Sequence, residues 1–176
     1  MNLLWLLPEM PYPADTGSRL TLSHRLEYAY QQGASNWVVV MAKEKPSRDA
    51  MLQLERVCER PLVLSRSEYC SKGLPKRIMA GMPYAVASRC SDYARGKIAS
   101  LLQSTPLSAI IVEYPQMLPN LPQDYIGDVP IILEQHNIEW EVSRSLANAS
   151  TMSGPMRCVR LWESWRLKRF EYAMQD

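Results

Sequence analysis

Five short apolar runs constrain the fold more than any other feature of the chain: residues 3–7, 37–41, 62–64, 110–112 and 131–133. Each is nearly continuous. A strand with one wet face alternates apolar and polar residues. A continuous run fits a strand covered on both faces, as in a parallel sheet with helices on either side. Amphipathic stretches lie between most of the runs, and this β-α-β-α-β alternation predicts a doubly wound, mainly parallel, Rossmann-like α/β fold.

The spacing predicts a helix over 18–32. Leu22, Leu26, Ala29 and Tyr30 form its inward stripe, Thr16 or Ser18 caps its start, and Gly33 ends it. A second helix is expected over 48–60. A third is expected over 91–103, with Tyr93 or Ala94, Ile98, Leu101 and Leu102 inward. Residues 67–87 contain Pro75 and Pro83 and predict short helical pieces only. A last helix is expected over 155–173, with Pro155 in its first turn.

The 176 residues suffice for one domain with a sizeable core, and no internal repeat or low-complexity linker divides them. The net charge of +2 makes no field that argues for nucleic acid. Cys58, Cys70, Cys90 and Cys158 lack metal-finger or redox spacing, so reduced thiols in a cytoplasmic protein are expected. The apolar start has no basic leader and is interrupted by Pro8 and Glu9, so no signal peptide is expected in it.

Three places carry candidate chemistry. The loop PEMPYPADTGSR follows the first strand, where doubly wound folds bind ligands. The helix behind it offers free N–H groups to an anion. It has neither the GxGxxG nor the GxxxxGK pattern, so a dinucleotide fingerprint is not supported; the plain alternative is that Gly17 permits a turn that Pro11 and Pro13 stiffen. The last strand empties into EQHNIEWE, placing His136, Asn137 and Glu139 at its end, in a ligand cleft or, as the plain alternative, on an exposed polar loop. His136 can donate or accept a hydrogen bond near neutral pH. No second histidine stands at ligand spacing, so no metal is expected. The end helix groups Cys158, Leu161, Trp162, Trp165 and Tyr172 on one face among five basic residues. The first expectation is a core-facing stripe with a basic solvent face. The alternatives are a helix lying on an anionic membrane surface and a surface for a second domain.

Three segments, LLPEMPYPADTGSRLTLSHRLEYAYQQG, PYAVASRCSDYARGKIASLLQSTPLSAIIVEYPQML and VPIILEQHNIEWEV, together resemble the N-terminal half of a retaining glycosyltransferase of the two-domain GT-B fold. The resemblance is to the group-1 (family 4) class, in its bacterial polysaccharide sugar-transferase form. It implies transfer of a sugar from a nucleotide-sugar donor to an acceptor hydroxyl, with no further cofactor. Residues 1–176 would be the acceptor-side domain. A C-terminal domain that grips the nucleotide sugar and carries a glutamate pair would be missing from this chain. On this resemblance Asp15, Thr16 and Gly17 face the donor, Arg19 contacts phosphate or acceptor, and His136 faces the transferred sugar. Glu113, Tyr114 and Gln116 line the acceptor side, with Asn137 and Glu139 beside them. The expected partner is a sugar or lipid-linked sugar acceptor, with peripheral contact at the inner membrane face. The alternative is a standalone, non-catalytic α/β binding or interaction module.

Overall fold

The computed structural model describes residues 1–69, 73–122, 124, 127–149 and 153–174. Its centre is a five-stranded, all-parallel sheet: β1 (Asn2–Leu7), β2 (Ser35–Ala42), β3 (Glu59–Ser65), β4 (Ala109–Glu113) and β5 (Ile131–Glu134), in the order β3-β2-β1-β4-β5. The strand order reverses between β1 and β4, which makes the crevice above their carboxyl ends the switch point of a Rossmann-like fold.

Period two along each strand divides the core. Leu3, Trp5 and Leu7, with Val38, Val40, Ala109 and Ile111, face α1 (Gly17–Gln31) and α2 (Arg48–Glu55). Leu4, Leu6, Val39, Met41, Ile110 and Val112 face α6 (Asp92–Ser104) and a 3-10 turn, Pro115–Asn120. Burial on both faces is what the continuous runs of β1, β2 and β4 require.

Helix α1 starts where Thr16 accepts a hydrogen bond from the Arg19 amide. It ends at Gly33, whose φ of 79° lets the Gly33 and Ala34 amides return to Tyr30 and Ala29. That is a Schellman stop, and it favours glycine. Leu22 and Leu26 are buried as expected, while Tyr30 is exposed and Ser23 takes a buried place. In α6, Ala94 is buried and Tyr93 is not.

The structure departs from the sequence reading at several points. α2 stops at Glu55, and β3 already begins at Glu59, where the reading extends the helix to Arg60. β3 is an edge strand, so it tolerates Pro61. Residues 67–87 do contain short pieces: α3 (Arg66–Tyr69), α4 (Leu74–Met79) and α5 (Tyr84–Ala87). A helix α7 (Glu139–Asn148) forms where none is predicted and pairs with α8 (Gly154–Tyr172). The apolar run of β5 is not dry. Ile131, Ile132 and Leu133 stay 37–48% exposed, because β5 is the other sheet edge. Cys58, Cys90 and Cys158 are free thiols, burial pushes Cys58 up to about 12, and Cys70 lies outside the described residues.

One buried polar knot ties the first βαβ unit together. Asn36 is fully buried on β2. Its Oδ1 accepts from Trp5 Nε1 at 3.0 Å, and its Nδ2 donates to the carbonyls of Leu26 at 3.0 Å and Val57 at 2.9 Å. One side chain therefore links β1, α1 and the end of α2. Asn36→Ala leaves the Trp5 N–H and two carbonyls short of a partner. The expected loss is about 3 kcal/mol, measured by urea unfolding at constant m-value.

Candidate functional site at the sheet switch point

β4 ends in IIVE and β5 in IILE, and their register places Glu113 opposite Glu134. Parallel register partners point to the same face, so two carboxylates stand side by side, an unfavourable pairing unless a cation intervenes. Alternation after Ala109 and Ile111 turns Glu113 toward α1. There Arg25 supplies the cation: its Nη1 donates to Glu113 Oε1 at 3.0 Å and also to Glu134 Oε2. The second oxygen of Glu113 lies 2.8 Å from His136 Nε2. Glu113 is thus a carboxylate with no solvent exposure whose two oxygens each hold one partner. Burying such a charge is tolerable only with pairing of this kind.

The Glu113 contact assigns the imidazole proton. A carboxylate accepts, so Nε2 carries the hydrogen, and in the neutral ring Nδ1 is left as an acceptor. Tyr114 packs beside the ring, with centroids 5.3 Å apart and an interplanar angle of 52°. Its backbone has φ 72° and ψ 138°. That conformation costs a non-glycine residue about 1–3 kcal/mol. The strained residue sits where β4 turns over the crevice.

Tyr114 also lines a cavity of about 370 Å³ with Pro8, Glu9, Lys43, Ala85, Arg89, Gln116 and Glu139. Gln116 is buried, and its Oε1 has no hydrogen-bond partner. A buried acceptor in this state is short of a donor. Burial pushes the Glu139 carboxyl up from its ordinary range, with Arg89 pulling it back. Burial, and then the carboxylates of Glu139, Glu9 and Glu113, push the Tyr114 phenol up.

The loop after β1 is turned in on itself. Arg19 donates to Glu9 at 3.2 Å and to Asp15 at 2.9 Å, and Ser18 donates to Glu9 at 2.7 Å. Thr16 caps α1. Gly17 has no left-handed φ, and a Cβ placed there would meet nothing within 4 Å. The turn therefore does not require glycine at this position, and the space above it is open.

Of the residues singled out from sequence, Tyr114, Gln116 and Glu139 share the cavity. Glu113 and His136 adjoin it through Tyr114. Arg19 reaches it only through Glu9, and Asn137 is exposed. Glu9, Arg25, Lys43, Arg89 and Glu134 join the site without having been anticipated as ligand contacts. The matching IIVE and IILE endings are a signal for Glu134. Nothing local marks Arg25 or Arg89, whose partners are distant in sequence.

Sequence alone also led to the expectation of no metal. The fold does gather ligand atoms of Glu113, Glu134 and His136 within 4.8 Å of one another. Three such donors match a catalytic zinc set in number, but Arg25 already bonds both carboxylates. An ion would have to displace it.

Gln116→Leu removes the orphaned acceptor while keeping most of the side-chain volume. Stability should rise by about 1 kcal/mol in chemical denaturation, which marks Gln116 as placed for something other than folding. Comparison with known proteins finds no matching family model, no matching curated protein and no matching solved structure, so the reading of function rests on this geometry and on the sequence motifs.

Proposed function

We propose that this chain is the acceptor-side domain of a glycosyltransferase that moves a sugar from a nucleotide-sugar donor to an acceptor hydroxyl. The observation that carries the reading is a polar cavity at the sheet switch point, one of whose lining residues, Gln116, also holds a buried Oε1 with no partner. The lining suits a sugar, whose hydroxyls both donate and accept hydrogen bonds. Glu9 and Glu139 accept, Lys43 and Arg89 donate, and Tyr114 offers both a ring and a hydroxyl.

His136 contributes an acceptor at Nδ1 whose direction is set by Glu113 on the opposite nitrogen. In the proposed complex it accepts from a hydroxyl of the transferred sugar. The resemblance assigns the donor-facing side to Asp15, Thr16 and Gly17, and the space over Gly17 is open. The resemblance assigns the nucleotide grip and the glutamate pair to a second domain. Residues 1–176 are therefore expected to bind acceptor without turning it over, since transfer needs both substrates held in near-attack geometry.

The test is a binding map. Octyl and methyl glycosides of glucose, galactose and mannose are titrated into the labelled chain, alongside UDP-glucose and GDP-mannose. Amide shifts should concentrate at 114–116, 9, 89 and 139 and disappear in Gln116→Leu. Shifts confined to other surfaces, or none with any glycoside, contradict the proposal. Gly17→Ala separates ligand approach from folding. Stability should stay within about 0.5 kcal/mol or rise, as alanine is the better helix former, while donor binding measured in a complex containing both domains weakens by about tenfold or more.

A further inference from the structure

The end helix is inside out. Its apolar stripe was correctly recognised in the sequence, but its expected direction is overturned. Trp162, Trp165 and Tyr172 are 54%, 53% and 52% exposed, and Met156, Val159 and Leu161 are exposed beside them. The buried face is instead Ser164, Arg166, Leu167 and Glu171.

Polar contacts explain the inversion. Arg166 donates to the carbonyls of Ile78, Gly81 and Met82, satisfying the end of α4. Glu163 accepts from the Ala85 amide, Ser164 donates to the Trp140 carbonyl, and Glu171 accepts from Gln135. Hydropathy spacing along α8 cannot reveal partners that lie on other elements.

The exposed face has a specific charge. α8 holds five cations, Arg157, Arg160, Arg166, Lys168 and Arg169, and two acids, Glu163 and Glu171. Both acids are turned inward against partners. Arg166 is turned inward with them, while Arg169 lies over the outward ring of Trp165 at 4.9 Å and Lys168 lies over Trp140 at 4.5 Å and Tyr172 at 5.6 Å. Tryptophan, tyrosine and arginine on one face with no acid among them match the boundary between lipid headgroups and acyl chains. A protein partner of that charge would have to be acidic and flat, and nothing else on this face specifies one.

A mainly apolar groove of about 600 Å³ continues the stripe between α7 and α8, lined by Val142, Leu146, Met156, Val159 and Trp162 together with the charged Glu139, Arg160 and Glu163. It shares Ala85 and Glu139 with the polar cavity at the switch point. No helix among the described residues is long and apolar enough to cross a membrane. The geometry points to the α7–α8 hairpin as a docking face for an anionic bilayer, with α8 lying along the surface and the cavity mouth held beside it. This goes beyond the proposed transferase reading and does not depend on it.

The test is sedimentation of the full chain with vesicles of neutral phosphatidylcholine, with and without phosphatidylglycerol, and no sugar present. Binding to the anionic vesicles should be tighter by about tenfold or more and should weaken as salt rises. Brominated lipid should quench fluorescence in the wild type and much less in Trp162→Ala with Trp165→Ala. Arg157→Glu with Arg169→Glu should lose the anionic preference. Both pairs are exposed, and circular dichroism checks that the variants fold. Equal binding to both vesicle types, no binding, or a dimer that protects the two tryptophans from quenching would overturn the proposal. Loss of glycoside binding with vesicle binding intact would count against the transferase reading alone.

Discussion

Everything at the crevice depends on one buried carboxylate. Glu113 ends a central strand with no solvent around it, and an unpaired charge there costs several kcal/mol. Arg25 and His136 remove that cost, one on each oxygen. Because Arg25 comes from α1, Glu134 from β5 and His136 from just beyond β5, the pairing fixes three elements around β4. The same contacts orient the imidazole, and Tyr114 packs on it in a strained backbone conformation. The site is rigid because folding already needs the contacts that shape it.

Legibility in the sequence followed the range of the forces involved. Strands β1, β2 and β4 were readable because burial on both faces leaves an unbroken apolar run. The start and stop of α1 were readable because Thr16 and Gly33 act within a few residues of themselves. What was hidden depends on distant partners. Asn36 looks like any polar residue before a strand until Trp5, Leu26 and Val57 surround it. β5 shares the apolar look of the inner strands, yet its position at the edge leaves it wet. In the site, Tyr114, Gln116 and Glu139 come to one cavity from segments well separated in the sequence, and Arg25 and Arg89 could be placed only once the helices were docked.

The crevice and the end hairpin are built on opposite rules. The crevice takes charge inward and compensates it within the chain. The hairpin takes charge inward along one face of α8 and leaves tryptophan outside. Ala85 and Glu139 line both the polar cavity and the apolar groove, so the two adjoin.

The central claim is that Glu113 sets the direction of His136, and the imidazole nitrogens report it directly. Long-range proton–nitrogen spectra of the neutral ring distinguish the tautomers, with the exposed His24 as an internal reference. The account predicts that His136 carries its proton on Nε2 in the wild type and shows a mixture of tautomers in Glu113→Ala. A wild-type His136 protonated on Nδ1, or averaged between tautomers, would contradict it.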